Sequence, residues 1–259
     1  MSSRVTFLIN NYQYEEFLPQ CLDSIISQPY ENAEFLLHDD CSTDRSVEIM
    51  KEYMSKDKRF TQLKVEEENN GDPCVGINWG LSVATGDFFS IVCTDDFLSP
   101  NFWESTLPYF DDPDVGIVRV ALYNFGPYIA SPAKLNLTNL KNPLDILEGN
   151  KINVTSPFRM SMQKQIGIFL PGNDTLLADW DFWIRCVLAG WKVADHNEPM
   201  FWHRTHYRSI TVKGRYAFGL GPKDYEFMSK KWMPELQKYR VYLSTIWRDA
   251  PKVEERKPQ

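Results

Sequence analysis

The sequence predicts an α/β domain built on a mostly parallel, Rossmann-like sheet with helices on both faces. Three observations support this fold class. Short apolar runs typical of buried strands alternate with segments of helical periodicity. Two of these runs lead directly into paired aspartates, which places charge at one edge of a sheet. Neither a GxGxxG fingerprint nor a phosphate-binding P-loop is present, so any nucleotide would be held by acids and a metal.

The first hundred residues contain four predicted strands, which are separated by helical patterns and loops. Apolar residues recur at three- and four-residue spacings in the helical patterns, and proline or glycine ends them. This alternation implies a parallel sheet, because parallel strands need crossover connections. The predicted strands are 5–9, 34–38, 60–65 and the run from 88 to the Asp95-Asp96 pair, and the predicted helices are 17–26, 47–53 and 74–84.

The pattern beyond residue 100 is less regular. Residues 115–122 predict another strand, and 124–157 predict an irregular segment of the kind that shapes a binding pocket. A helix is expected over 179–189, with Gly190 as its C-terminal stop, and a short strand over 191–194. A polar, basic loop is expected over 203–211. The remaining residues, 213–259, predict a mainly helical extension.

Composition is that of an ordinary globular protein, with 43% hydrophobic and 24% charged residues. The net charge of −7 argues against a nucleic-acid-binding protein. Five scattered cysteines without a CxxC pair indicate reduced thiols rather than a disulfide scaffold or a zinc site. Neither a signal peptide nor a membrane-spanning segment is recognised, so the expected location is cytoplasmic.

Positive charge is concentrated in residues 213–259, which contain eleven Lys and Arg against six Asp and Glu. Aromatic residues are interleaved with these charges. The combination suits peripheral contact with an anionic membrane, which would place the protein at the inner face of the membrane. An amphipathic helix that packs its aromatic residues on the core explains the same pattern equally well.

The paired aspartates are Asp39-Asp40 and Asp95-Asp96. Because the carboxyl ends of parallel strands meet at one edge of a sheet, both pairs are expected at the same place. Together they predict one metal-assisted site for a phosphorylated ligand. Taken separately, each pair fits a turn or a helix N-cap about as well, since aspartate favours both.

An ordered series of short motifs resembles the family 2 glycosyltransferases, which have the GT-A fold. The first block comprises VTFLINNY (5–12), FL (17–18), CLDSI (21–25), SQPY (27–30), DDCSTD (39–44), NG (70–71), ATGD (84–87) and TDDFLSP (94–100). The second block comprises DWDFWIR (179–185), AGWKV (189–193), HRTH (203–206) and SIT (209–211). The resemblance covers about residues 4–212, and it depends on the order and spacing of the motifs rather than on any one of them.

This resemblance implies an inverting transfer of a sugar from a nucleotide-diphosphate donor to an acceptor hydroxyl, with Mn²⁺ or Mg²⁺ as cofactor. Residues 1–100 would form the nucleotide-sugar-binding half and 101–212 the acceptor-binding half of one continuous GT-A domain. Asp179 would be the base that deprotonates the acceptor. The implied donor-binding residues are Asn10, Asn11, Tyr12, Asp39, Asp40, Asn70, Cys93, Thr94 and Asp95, and the implied metal ligands are Asp95, Asp96 and His206.

Three positions depart from the family pattern. Cys93 stands where an acid is usual, and a thiol cannot accept a ribose hydrogen bond as a carboxylate does. Asn10-Asn11 replaces a Pro-Thr pair, and Ala178 replaces the acid before Asp179. Asp179 and Asp181 both remain candidates for the base. Only one of them can face the site, because positions two residues apart on a helix point about 200° apart.

The leading functional hypothesis is a hexosyltransferase that uses a nucleotide sugar, with a UDP-sugar as the favoured donor. Its acceptor would be a glycan or a lipid-linked glycan in the synthesis of a surface polysaccharide or glycolipid. A catalytically silent binding protein of the same fold is the alternative, motivated by Cys93 and Ala178. A nucleotidyltransferase is disfavoured, because residues 10–13 are not the glycine-rich, basic loop expected after its first strand.

Overall fold

The computed structural model describes residues 3–127, 131–135, 137, 145–146, 149–171 and 178–209. Within this part of the chain, nine strands form one mixed sheet that lies between helices. The strands are β1 Val5–Asn11, β2 Ala33–Asp39, β3 Phe60–Val65, β4 Phe88–Cys93, β5 Phe97–Leu98, β6 Val115–Phe125, β7 Ala133–Leu135, β8 Phe158–Arg159 and β9 Lys192–Arg204. The helices are α1 Leu18–Ile26, α2 Ser46–Lys56, α3 Pro73–Val83, α4 Phe102–Thr106, α5 Met160–Ile166 and α6 Ala178–Leu188, with a 3₁₀ turn at Leu107–Asp111.

The first half of the sheet is parallel, as the sequence predicts, and its strand order β3-β2-β1-β4 is typical of a Rossmann-like fold. Helices α1 and α2 cover one face and α3 and α6 cover the other, so the central strands are buried on both sides. The pairing register sets Asn10 of β1 opposite both His38 of β2 and Cys93 of β4. These three side chains therefore occupy one row on one face of the sheet.

The second half of the sheet is mixed and brings β9 back to the end of β4. Strand β8 pairs antiparallel with β4 and with β6, and β6 runs parallel to β9. Strand β5 directly follows the Asp95-Asp96 pair and lies antiparallel to the last residues of β9, with Phe97 opposite Trp202. As a result, the last residues of β9 lie beside the carboxyl end of β4.

Aromatic side chains fill the layers on both faces of the sheet. The ring of Phe7 lies 5.5 Å from Phe102 and 5.4 Å from Trp103, measured between centroids. On the opposite face Phe169 stacks on Phe182 of α6, with centroids 4.1 Å apart. Truncating a buried aromatic side chain costs about 3–5 kcal/mol. Phe182 also lies 5.4 Å from Phe158 of β8, measured between centroids, so helix α6 packs against the sheet.

The prediction for residues 191–211 is partly wrong. The sequence predicts a short strand over 191–194 and a loop from residue 203, whereas β9 runs from Lys192 to Arg204. Its middle is polar, and its register with β6 shifts between His196 and Pro199. A bulge and a proline both interrupt the alternation on which strand prediction depends. His203 consequently lies in a strand rather than in a loop.

The remaining elements follow the sequence more closely. The predicted helix 179–189 is observed as α6, and the predicted strand 115–122 extends to Phe125 in β6. The predicted helical extension over 213–259 lies outside the described residues. None of the helices in the described part of the chain is both long enough and apolar enough to cross a bilayer.

Candidate active site

The carboxyl end of β4 brings together an acid and an imidazole that are far apart in the sequence. Asp95 comes two residues after the end of β4, and His206 comes two residues after the end of β9. The Nε2 atom of His206 lies 3.1 Å from Oδ2 of Asp95, and both side chains are buried. Two of the three residues expected to bind a metal are therefore in direct contact.

The third, Asp96, makes different contacts with β9. Its Oδ1 atom accepts a 2.8 Å hydrogen bond from the backbone N–H of Arg204, and Nδ1 of His203 lies 3.3 Å from its carboxylate. Burial raises the pKa of Asp96, although His203 acts in the opposite direction. Burial alone would lower the pKa of His203, but the Asp96 carboxylate raises it above its usual value. Asp96 thus connects β4 to β9.

Two aromatic rings and one backbone amide orient His206. Its ring lies 4.8 Å from Phe17 and meets Tyr14 edge-on at 5.5 Å, measured between centroids. The backbone N–H of Arg208 donates a 3.2 Å hydrogen bond to Nδ1. Burial, and then the charge of Asp95, raises the pKa of Tyr14, so the phenol stays protonated. The imidazole is therefore held with its Nε2 atom toward Asp95.

Asp40 holds the loop that precedes α3. One carboxylate oxygen accepts hydrogen bonds from the backbone N–H and the side-chain amide of Asn70, at 3.0 and 2.8 Å. The other accepts from the side-chain amide of Asn69 at 3.0 Å and from the backbone N–H of Gly71 at 3.3 Å. Asp40 and Asn70, both expected to bind the donor, are thus in direct contact.

Asp39 and Asn11 lie on the other face of the sheet from Asn10. The side-chain amide of Asn11 donates a 2.7 Å hydrogen bond to Asp39, which also accepts one of 2.7 Å from the backbone N–H of Ser42. Asp39 is fully buried, so its carboxylate serves this local network. Tyr12, in contrast, is 44% exposed at the end of β1. Of these residues, Tyr12 presents the most surface to an incoming ligand.

A second polar network lies beneath the same edge of the sheet, around Asn10. The Nδ1 atom of His38 lies 2.8 Å from Oδ1 of Asn10. Its Nε2 atom lies 3.1 Å from the carboxylate of Glu66. The side-chain amide of Asn10 donates a 3.1 Å hydrogen bond to the carbonyl oxygen of Pro73. Helix α3 approaches this network closely at Gly76, where a Cβ atom would lie 2.3 Å from Nδ1 of His38. Only glycine fits at that position.

We expect Gly76→Ala to weaken nucleotide binding and to lower the free energy of unfolding by about 1–3 kcal/mol, the usual cost of overpacking. The added methyl group would lie 2.4 Å from Oδ1 of Asn10 and must displace it. Gly80→Ala is the matched control. Gly80 lies one helical turn after Gly76 in α3, and its added methyl group would meet only the flexible end of the Leu8 side chain. Denaturant titration and calorimetry with UDP measure both effects. Equal UDP affinity in the two variants would contradict a role for the Asn10 network.

Cys93 and Thr94 link the strand to the acid pair. Cys93 is partly exposed and faces Asn10 across the β1–β4 ladder. Burial, and then the charges of Asp95 and Asp96, raises the pKa of its thiol well above the usual value, so the thiol is neutral at pH 7. Thr94 is buried, and among the described residues its hydroxyl has no hydrogen-bond partner.

Asp179 lies in the first turn of α6. Its carboxylate accepts hydrogen bonds from the side-chain amide of Asn150 at 2.8 Å and from the backbone N–H of Trp180 at 2.7 Å. Burial raises its pKa to about 6, although both hydrogen bonds favour the charged form. The charge of Asp179 contributes to the raised pKa of Cys93, so the carboxylate lies within electrostatic range of the end of β4. A carboxylate with this pKa can accept a proton near neutral pH.

Asp181 points elsewhere. It is buried and forms a 2.9 Å ion pair with Arg185 one turn further along α6. Arg185 also donates to the carbonyl oxygens of Ile166 and Ile168. The structure therefore distinguishes the two candidates for the base, because the Asp181 carboxylate is paired with Arg185 whereas that of Asp179 lies within electrostatic range of Cys93.

The donor set at Asp95 and His206 fits a divalent cation such as Mn²⁺ or Mg²⁺. A carboxylate oxygen and an imidazole nitrogen suit Mn²⁺, and Mg²⁺ is often bound by one or two protein ligands plus substrate phosphates and water. Among the described residues, no three His, Cys, Asp or Glu side chains come close enough together to hold an ion. If a cation binds at this edge, Asp95 and His206 would hold it as a pair, and phosphate oxygens and water would complete the coordination.

Sequence patterns did not identify several residues of the site. Tyr14, His38 and Arg204 are the main ones, and each acts through a partner that is distant in the chain. The hydroxyl of Tyr14, for example, donates to the carbonyl oxygen of Arg208, 194 positions away. A weak signal was available for Arg204, which lies inside the HRTH motif two residues before His206.

Comparison with known proteins identifies the family of this chain. Residues 6–166 match the model of the family described as Glycosyl transferase family 2. The glycosyltransferase GlyG of Streptococcus pneumoniae is 34% identical over 125 residues, which are 48% of this chain and 41% of that protein. An uncharacterised glycosyltransferase of Haemophilus influenzae is 31% identical over 151 residues, 58% of this chain and 59% of that protein. The chain thus spans about two-fifths to three-fifths of these curated relatives.

Solved structures with the same fold include two nucleotide-sugar complexes. Residues 1–349 of Staphylococcus aureus TarS with UDP-GlcNAc superpose with a TM-score of 0.68 at 18% identity, covering 90% of this chain and 66% of that one. The mannosyltransferase PcManGT of Pyrobaculum calidifontis, with GDP-Man and Mn²⁺, superposes with a TM-score of 0.64 at 15% identity. That superposition covers 97% of this chain and 77% of the other. At these identities the similarity establishes a shared GT-A fold.

Proposed function

Because this chain belongs to glycosyl transferase family 2, we propose that it transfers a sugar from a nucleotide-diphosphate donor to an acceptor hydroxyl with inversion. A UDP-sugar is the favoured donor, since UDP-GlcNAc occupies the TarS structure. The observation that carries the proposal is the contact between Asp95 and His206, 3.1 Å apart at the carboxyl end of the parallel strands. Open α/β sheets bind their ligands at this edge.

The donor half of the site is formed by the ends of β1, β2 and β4. The base would lie against the loop that Asp40 holds through Asn69, Asn70 and Gly71. Tyr12 and the Asn10 network would line the pocket, with Asn11 and Asp39 supporting it and Cys93 and Thr94 next to the ribose. Asp95 and His206, with Asp96 adjacent, would hold Mn²⁺ or Mg²⁺. Such an ion neutralises the charge that develops on a diphosphate leaving group.

The acceptor half contributes the base. Asp179 has a pKa of about 6 and is oriented by Asn150, so above this pH its carboxylate can take the proton from the acceptor hydroxyl. Removing that proton as the acceptor attacks opposite the departing diphosphate gives inversion. The electrostatic influence of Asp179 on Cys93 supports this assignment, because the base must lie near the bound donor.

The acceptor is proposed to be a glycan or a lipid-linked glycan in the synthesis of a surface polysaccharide or glycolipid. One relative, 23% identical over a region that covers 87% of this chain and 39% of that protein, is named a poly(ribitol-phosphate) beta-N-acetylglucosaminyltransferase. The basic, aromatic residues 213–259 would provide peripheral contact with the inner face of an anionic membrane. These residues lie outside the described part of the chain.

Calorimetric titration with UDP-, GDP- and dTDP-sugars, with and without Mn²⁺, tests the donor and the metal together. We expect one nucleotide class to bind clearly more tightly when Mn²⁺ is present. Release of the free nucleoside diphosphate, measured with the bound donor, then tests catalysis. Donor binding without any release, even with a panel of acceptors, would favour the catalytically silent binding protein. No binding by any nucleotide sugar in the presence of Mn²⁺ would refute the proposed function.

A further inference from the structure

Arg204 contacts both members of the acid pair at the end of β4. Its Nε atom donates a 2.8 Å hydrogen bond to the backbone carbonyl oxygen of Asp95. Its own backbone N–H donates a 2.8 Å hydrogen bond to Oδ1 of Asp96. Arg204 therefore holds the main chain of Asp95 and the side chain of Asp96. Its backbone contact with Asp96 joins strand β9 to the acid pair.

The guanidinium plane of Arg204 is held between two aromatic rings. Its central carbon lies 4.6 Å from the ring centroid of Phe17 and 4.6 Å from that of Phe125. The Nη2 atom donates to the side-chain oxygen of Gln20 in α1. The side chain is thus held by residues at α1, in β6 and at the end of β4. Cation–π contacts and a planar fork are properties of arginine that lysine does not reproduce.

Arg204 also supplies positive charge where two adjacent carboxylates are buried. Burial lowers its pKa, but the neighbouring acids act in the opposite direction and the guanidinium stays charged at neutral pH. Because His206 follows only two residues later, the anchor at Asp95 also limits where the imidazole can lie. Backbone position, charge and the spacing of the two side chains all depend on this one residue.

We propose that Arg204 is a positioning residue that holds Asp95 and His206 together as a pair able to bind a divalent cation. The inference rests on the proposed function, in which these two residues hold Mn²⁺ or Mg²⁺. Arg204 does not ligate the ion in this arrangement. It sets the geometry of the residues that do, as outer partners of metal ligands generally do.

The test is Arg204→Lys, which keeps the charge but loses the planar fork. Its Mn²⁺ affinity is measured by calorimetry in separate titrations with saturating UDP and saturating GDP. We expect affinity to fall about 10–100-fold, the range found when outer partners of metal ligands are changed. Nucleotide affinity without Mn²⁺ should stay near the wild-type value. The free energy of unfolding, measured in parallel, shows whether the variant is folded.

Arg159→Lys is the matched control. The Arg159 guanidinium also lies over two rings, 5.1 Å from Phe88 and 5.4 Å from Phe110. It also donates to backbone carbonyl oxygens, but at the opposite end of β4 from the acid pair. We expect this variant to lose stability while its Mn²⁺ affinity stays the same. An equal loss of Mn²⁺ affinity in both variants would show a general effect of stability and overturn the proposal.

Phe125→Leu removes one of the two aromatic rings that contact Arg204 and leaves Arg204 itself unchanged. This variant tests the proposal if Arg204→Lys does not fold. We expect its Mn²⁺ affinity to lie between those of the wild type and Arg204→Lys. If every folded variant of Arg204 and Phe125 binds Mn²⁺ as tightly as the wild type does, the proposed role of Arg204 is wrong, whereas the proposed function is unaffected. If the wild-type protein fails to bind Mn²⁺ in the presence of UDP and also in the presence of GDP, the metal assignment is wrong, and the inference about Arg204 is wrong with it.

Discussion

Asp179→Asn should reduce sugar transfer by about 10²–10⁴-fold, the usual contribution of a positioned general base. An amide cannot accept the proton of the acceptor hydroxyl, whereas the variant keeps the size and most contacts of the original side chain. Asn150 can turn its own amide to match, so α6 should remain folded. Donor binding should be nearly unchanged, because Asp179 belongs to the acceptor side. The effect should therefore appear in kcat and not in the KM for the donor.

The pH dependence of the wild-type rate provides an independent check on the same residue. Burial raises the pKa of Asp179 to about 6, so the carboxylate is protonated and inactive as a base below that value. Activity should rise as the pH increases through about 6 and then level off. The rise should be absent from the residual activity of Asp179→Asn. A rate that is flat between pH 5 and 7 in the wild type would exclude Asp179 as the base.

Asp181→Asn distinguishes the two acids of α6. It breaks a buried ion pair with Arg185, so we expect a large loss of stability, of about 3–5 kcal/mol. Molecules that remain folded at low temperature should still transfer sugar. If Asp181→Asn abolished transfer in folded protein while Asp179→Asn did not, the assignment of the base would have to be reversed.

Asp95→Asn should lower the affinity for Mn²⁺ by at least about 100-fold, because even outer partners of metal ligands account for 10–100-fold. Transfer that requires the metal should fall by a similar factor. The variant removes the negative charge, but an amide oxygen can still contact Nε2 of His206. Calorimetry with UDP and Mn²⁺ measures binding, and a metal titration of the transfer rate shows whether a high Mn²⁺ concentration restores activity.

The control for Asp95 is Asp87→Asn, at the other end of the same strand. Asp87 is exposed and accepts a hydrogen bond from the backbone N–H of Arg4, 3.0 Å away. We expect this variant to bind Mn²⁺ and UDP as the wild type does. Unchanged metal affinity in Asp95→Asn would remove the main support for a metal at the end of β4.

The sequence predicted the positions of Asp95 and Asp179 because both stand at the ends of strongly patterned elements. The strand before Asp95 is apolar, and the helix that contains Asp179 has a clear period and a glycine stop. Ordered motifs then connected them to one family, although neither motif is decisive alone. What could not be predicted is how each polar side chain is used. Asp40, for example, accepts four hydrogen bonds from its neighbouring loop.

The unpredicted residues share a physical cause. Arg204 depends on Phe17 and Phe125, and Tyr14 depends on Arg208, so their roles arise only from contacts between distant segments. Strand β9 was underestimated for a related reason, because Pro199 and a register shift hide its alternation. Local patterns report backbone preference, whereas these features depend on tertiary packing.

The return of β9 to the end of β4 has a consequence for the chain while it is being synthesised. Asp95 leaves the ribosome 111 residues before His206. Arg204 is also synthesised late, only two residues before His206. N-terminal segments fold first during synthesis, so the parallel half of the sheet can assemble while its acid pair still has no partner from β9. The proposed pair of cation ligands, Asp95 and His206, comes together only after β9 docks. Capture of the ion would therefore mark a chain that has completed the sheet, and a nascent or truncated chain that lacks β9 would not compete for it.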